Sequence, residues 1–165
     1  MALNIELLES SFSQIRTQET ECMAYFYTTL FADYPQVKLL FANTAMRKQA
    51  KQLFKSLVFV VENLRCPDVL AKALKALGTR HVQYGVQAEH YPIVGSTLLK
   101  AFSICLDSAW TPDTEQSWSE AYAVITELML SGTEYPNEIL TLQKDGAQTV
   151  LRDLNCSLLE ACSLS

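Results

Sequence analysis

The feature that most narrows the fold of this chain is a stripe of leucines at helical spacing that ends in a histidine. Leu70, Leu74 and Leu77 lie four and three residues apart, so they share one helix face, and His81 falls four residues further along it. Gly85 interrupts the pattern. Tyr91-Pro92 then opens a new periodic segment, with the proline where a first helical turn tolerates it. The stretch LGTRHVQYGVQAEHYPIVG, residues 77 to 95, therefore reads as two helices joined by a polar corner, with an inward imidazole just before the corner.

The same period runs through the rest of the chain. Ile5, Leu8, Phe12 and Ile15 mark a helix from Leu3 to about Arg16. A second, from Thr20 to about Asp33, puts Met23, Phe26, Tyr27 and Leu30 on one face and stops at Tyr34-Pro35, because a residue before proline is driven out of the helical region. A short helical turn follows to Phe41. Gln49, Leu53, Leu57 and Val60 define a third long helix to about Leu64, with Arg47, Lys48, Lys51 and Lys55 on its outer face. Pro67 and Asp68 begin the helix that ends at His81. Val94, Leu98, Phe102 and Cys105 mark the helix after the corner, to about Ser108. Trp118, Tyr122, Ile125 and Met129 mark one more, opened at Thr111-Pro112 and closed by Gly132. No strand-like alternation extends beyond a few residues, so the chain is expected to be all-α. The tail from Asn137 is a further amphipathic unit, interrupted at Gly146, with Val150, Leu151, Leu154, Leu158 and Cys162 on one face.

A length of 165 residues suits one domain able to enclose a cofactor. The net charge of −5, with a single basic cluster around Lys48 to Lys55, argues against nucleic acid or an anionic membrane as the main partner. No apolar run approaches the roughly 20 residues needed to span a bilayer, and residues 1–20 lack the pattern of a cleavable leader. Five cysteines with no C-x-x-C pair indicate neither a disulfide framework nor a thiolate metal site. A reduced, cytoplasmic protein is the expectation.

Familiar enzymatic constellations are missing. The sequence has no glycine-rich phosphate loop, no G-x-S-x-G elbow and no H-E-x-x-H pair, and its two histidines, nine apart, cannot share a helix face. Catalytic side chains acting alone are therefore not expected. A lone inward histidine is more often a satisfied core residue than a ligand, and Tyr27 and Gln49 taken singly read as a core aromatic and a solvated amide.

The segments AYFYTTLF (24–31), YPQVKLLF (34–41), RKQAKQLF (47–54), LGTRHVQYGV (77–86), EHYPIVG (89–95) and WSEAYAVI (118–125) alter that balance. In order and approximate spacing they resemble the bacterial single-domain globins, which are similar to the haem domain of flavohaemoglobins. The resemblance runs from the amino terminus to about Met129. It implies a globin fold, a three-over-three helical sandwich, with a haem-binding domain over residues 1–135 and an extra C-terminal amphipathic segment over 136–165 that packs on the globin or binds a partner.

The resemblance also implies the site. His81 would be the proximal ligand of haem iron, haem b, since a neutral imidazole nitrogen is a good donor to iron. Tyr27 and Gln49 match distal hydrogen-bond donors that stabilise partial negative charge on bound O₂, with Leu53 one turn beyond. Phe41 matches a phenylalanine packed on the haem face, and Phe26 and Val86 are further expected haem contacts. Tyr91 matches a tyrosine that orients the proximal histidine; its usual glutamate companion aligns with Thr133, with Glu134 adjacent. O₂, NO and CO are the expected ligands, in O₂ binding and storage or in NO detoxification. Nitric oxide dioxygenase activity would need a separate reductase, because no reductase domain follows within the sequence. The alternative is a gas or redox sensor acting through the C-terminal segment on a partner. The chain would be a monomer or a homodimer.

Overall fold

The computed structural model describes residues 3–133. Six α-helices, with two short 3₁₀ segments between them, make up this part of the chain: α1 Ile5–Arg16, α2 Glu19–Asp33, α3 Met46–Glu62, α4 Pro67–Gln83, α5 His90–Leu106 and α6 Pro112–Ser131. The 3₁₀ segments are Pro35–Phe41, after α2, and Asp107–Ala109, after α5. The described residues contain no strand, as the helical periodicity requires. Glu134 and the amphipathic face from Val150 to Cys162 lie outside the described residues, as does the expected domain boundary at 135/136.

Helix starts follow local chemistry. The Asn4 side chain accepts from the Leu7 N–H at 3.1 Å, and Thr111 caps α6 by accepting from the Thr114 N–H at 3.2 Å. Pro67 and Pro112 each sit in the first turn of their helix, where the missing donor costs nothing. Two ends differ from the sequence reading. Helix α5 ends at Leu106 rather than Ser108, because the chain tightens into the 3₁₀ turn Asp107–Ala109. Helix α3 ends at Glu62, where the Asn63 N–H and side-chain amide both return to the Phe59 carbonyl.

Helices α1, α3 and α4 lie over α2, α5 and α6, the three-over-three sandwich expected from sequence. The closest pairs are α2 with α5 and α4 with α6. The main core joins the two layers through aromatic rings: Phe12 stacks on Phe54 with centroids 5.5 Å apart, and Phe102 meets Trp118 edge-on at 4.8 Å. The indole N–H of Trp118 donates to Ser11 Oγ at 3.0 Å, so the one polar atom this ring carries inside is satisfied. A second, smaller cluster of Val60, Leu70, Leu74, Tyr91 and Met129 lies under α4. Burying Leu70 and Leu74 contributes roughly 2 kcal/mol each, enough to fix which face of α4 turns inward.

Two glycines let α4 and α6 approach main chain to main chain. A β-carbon on Gly78 would overlap the Met129 backbone, and one on Gly132 would overlap the Lys75 backbone. The Thr79 hydroxyl closes the same contact by donating to the Gly132 carbonyl at 3.0 Å. Because the obstacle is backbone, no rotamer change relieves it. Gly78→Ala is expected to destabilise the protein by about 2 kcal/mol, measured as a lowered urea midpoint. An unchanged midpoint would mean that α4 is free to lift off α6.

Candidate functional site

The leucine stripe delivers His81 to a defined place. His81 is the third residue from the end of α4, and its ring Nδ1 lies 2.9 Å from the Leu77 carbonyl oxygen one turn earlier. A carbonyl can only accept, so Nδ1 carries the proton and the Nε2 lone pair points away from its own helix. Burial depresses the affinity of this ring for a second proton; the Leu77 bond opposes that and neighbouring Arg80 adds to it, with the net effect downward from 6.5. The imidazole is thus held neutral, in one tautomer, with one free donor nitrogen.

The corner after His81 is a glycine-terminated helix end. Gly85 adopts φ +82°, its N–H donates to the Val82 carbonyl at 3.0 Å, and the Val86 N–H donates to the His81 carbonyl at 2.9 Å. This double bond pattern closes a helix around a left-handed residue, which glycine adopts without steric cost. It brings Val86 back beside His81, so two residues expected at the site are tied through the backbone.

Tyr91 lies on the same side. Its ring is buried, with its centroid 6.3 Å from that of His81 and the two planes 30° apart. The Tyr122 hydroxyl holds the Tyr91 backbone by donating to its carbonyl at 2.7 Å, and the Tyr122 ring fits against Gly95, where a β-carbon would collide with it. Sequence reasoning placed Tyr122 on an apolar stripe and missed this positioning role. The nearby Gly95 was the available signal. The Thr133 hydroxyl donates to the Leu130 carbonyl at 2.6 Å, finishing its own helix.

The opposite wall comes from α2 and α3. Tyr27 is buried, wedged between Phe26 at 4.9 Å, Phe31 at 5.8 Å and Phe41 at 5.8 Å between ring centroids. Phe26 is enclosed in the core and meets Tyr27 edge-on, while Phe41, at the end of the 3₁₀ segment, is half-buried. Burial pushes the Tyr27 hydroxyl up to about 12, and a hydrogen bond with Gln49 pulls it partly back. Gln49 and Leu53 are half-buried, one turn apart on α3, whereas Leu57 and Val60 further along the stripe are buried.

These two walls do not close on each other. Helices α3 and α4 are not among the closely packed pairs, although both carry apolar stripes. Leu53, Phe41, Leu77, Val86 and Ile93 pack against the cores yet stay only partly covered. The donor set suits a flat, largely apolar group bearing a metal that accepts one nitrogen donor: a neutral imidazole on α4, a phenol on α2, an amide on α3, and half-covered apolar side chains. An open groove of about 630 Å³ on the outside of the molecule, lined by Pro92, Tyr122, Thr126, Glu127 and Leu130, contains none of these groups except Tyr122. Among the described residues no cluster of histidine, cysteine and carboxylates could hold a bare metal ion, and no helix is long and apolar enough to cross a membrane.

Comparison with known proteins agrees with this geometry. The globin family model matches residues 24–129. A flavohemoprotein of Bacillus cereus is 32% identical over 133 residues, covering 77% of this chain and 32% of that protein; the chain thus spans about a third of the length of the curated relatives it matches. Among solved structures, a bacterial globin from Campylobacter jejuni superimposes with a TM-score of 0.67 at 28% identity, covering 78% of this chain and 92% of that one. An engineered carbene transferase, described as a candidate nitric oxide dioxygenase from Rhodothermus marinus, gives 0.70 at 26% identity, with 84% and 94% covered.

Proposed function

Because the chain belongs to the globin family, whose members hold haem and bind diatomic gases, we propose that it holds haem b between α3 and α4, where His81 would bind its iron and Tyr27 and Gln49 would donate to the gas. The observation that carries this reading is the single tautomer of His81: Nδ1 is committed to Leu77, which leaves the Nε2 lone pair as the ring's one uncommitted donor. When bound, the haem supplies an iron that takes O₂, NO or CO and exchanges electrons with a reductase. Everything else falls to the side chains. Phe41, Val86 and Leu53 exclude water along the edges, and Tyr91, fixed through Tyr122, limits rotation of the His81 ring.

The two walls favour particular uses. Tyr27 and Gln49 place two linked donors over the gas site, which suits slow release of O₂. On the other side Nδ1 donates to a neutral carbonyl, which makes the imidazole a weaker electron donor than a carboxylate partner would. That combination fits O₂ binding better than cleavage of the O–O bond, with NO detoxification where a separate reductase restores the iron. Residues 1–135 form the haem domain in this reading, and 136–165 an extension to it.

Optical spectra of the purified full chain in its ferric, ferrous, O₂ and CO forms test the proposal. A strong Soret band, with a ferrous form that takes up CO and O₂ reversibly, is expected. Failure to retain added haem would overturn it.

A further inference from the structure

Away from this site, two cysteines lie at one crossing of two helices. Cys22 lies in the first half of α2 with no exposed surface, and Cys105 lies near the end of α5, half-buried. The Cys22 thiol points at the α5 main chain, with Sγ 3.9 Å from the Ala101 carbonyl oxygen, one turn before Cys105. One turn before Cys22, the Gln18 amide donates to the Cys105 carbonyl at 3.0 Å. The two helices thus exchange contacts in both directions across the same spot. Ala101, fully buried and small, is what lets them come so close. In the hydrogen-bond ladder of α5 the Ala101 carbonyl is the one that faces the Cys105 N–H, so the Cys22 sulfur lies beside the backbone of Cys105. Disulfides need α-carbons within about 7 Å, and a thiol that reaches the other helix's backbone one turn from the second cysteine brings the pair toward that range.

We propose that Cys22 and Cys105 form a redox modification site, a dithiol pinning α2 to α5 that low-molecular-weight disulfides convert to an intramolecular disulfide. The two cysteines differ in access, which sets the order of events. Cys105 is the thiol that solvent reaches, so its thiolate attacks one sulfur of the small disulfide, forming a mixed disulfide and releasing one small thiolate. Cys22 then attacks the Cys105 sulfur, its proton passing to the departing small thiolate. The protein disulfide forms, the second small thiolate leaves, and one molecule of oxidant has become two of thiol. Burial raises the Cys22 thiol well above its ordinary range, so it is slow to react with outside reagents and suits the resolving role. The cross-link closes a long loop, from α2 to α5, and so constrains the unfolded chain strongly. Helix α2 also carries Tyr27, five residues on from Cys22, so the link stiffens the support of the distal wall.

The test uses the full-length protein with its haem, incubated with glutathione disulfide and then denatured, alkylated and digested. Expected is a peptide pair joined through Cys22 and Cys105, a mass loss of two hydrogens, and a thermal midpoint raised by about 5–10 °C. In Cys105→Ala the link and the rise should vanish while Cys22 stays a free thiol. If Cys22→Ser fails to fold, Cys105→Ala alone still decides. A stable glutathione adduct on Cys105 that Cys22 never resolves overturns the proposal. So does pairing of Cys105 with Cys66, Cys156 or Cys162 while Cys22 remains alkylatable.

Discussion

Replacing His81 by alanine is expected to weaken haem binding by more than about a hundredfold, since loss of partners that merely support a metal ligand already costs 10–100-fold. The Soret band of the purified protein should fall to background, and haem should transfer rapidly to a competing acceptor protein. The helical fold should survive. His81 is only half-buried, and the contacts that seat α4 come from Leu70, Leu74, Gly78 and Thr79, none of which the substitution touches. Far-ultraviolet circular dichroism therefore separates loss of the ligand from loss of structure. Exogenous imidazole should restore part of the spectrum, because the substitution leaves a space the size of the ring it removed. A full-strength Soret band in His81→Ala, with unchanged haem transfer, would show that another side chain holds the iron.

What the sequence makes legible here is periodicity and its interruptions. The spacing of Leu70, Leu74, Leu77 and His81 determines the face of α4, and Gly85 determines where the helix can end, so the inward histidine and the corner are both recoverable from local rules. The same holds for Gln49 and Leu53 at the head of a stripe whose later members are buried. Close approach between elements is not legible in this way. Gly78 reads as a weak helix residue until Met129 is placed against it, and Tyr122 reads as core until its hydroxyl is found on the Tyr91 carbonyl. Cys22 and Cys105 are likewise far apart in sequence and related only through the α2–α5 crossing. Thr133 stands where the resemblance would have a glutamate, and a hydroxyl at a helix end has a carbonyl within easy reach and takes it.

Tyr27→Phe should accelerate O₂ release by about 10- to 100-fold, the range expected when one hydrogen bond to a partly charged acceptor is lost in a shielded site. The substitution is unusually clean at this position. The ring is held by Phe26, Phe31 and Phe41, and all three contacts survive removal of the hydroxyl. Autoxidation should also quicken, since the donor that stabilises negative charge on the ligand is gone. Gln49 then decides how large the effect becomes. Its amide influences the Tyr27 hydroxyl, and without the phenol that amide can turn toward the ligand and recover part of the loss. Combining Tyr27→Phe with Gln49→Leu should therefore speed release more than the product of the two single effects, and stopped-flow displacement of O₂ by CO measures all four combinations. Release rates in Tyr27→Phe within twofold of the parent would remove Tyr27 from the gas site. The buried phenol would then be a core residue whose hydroxyl is satisfied by Gln49 alone.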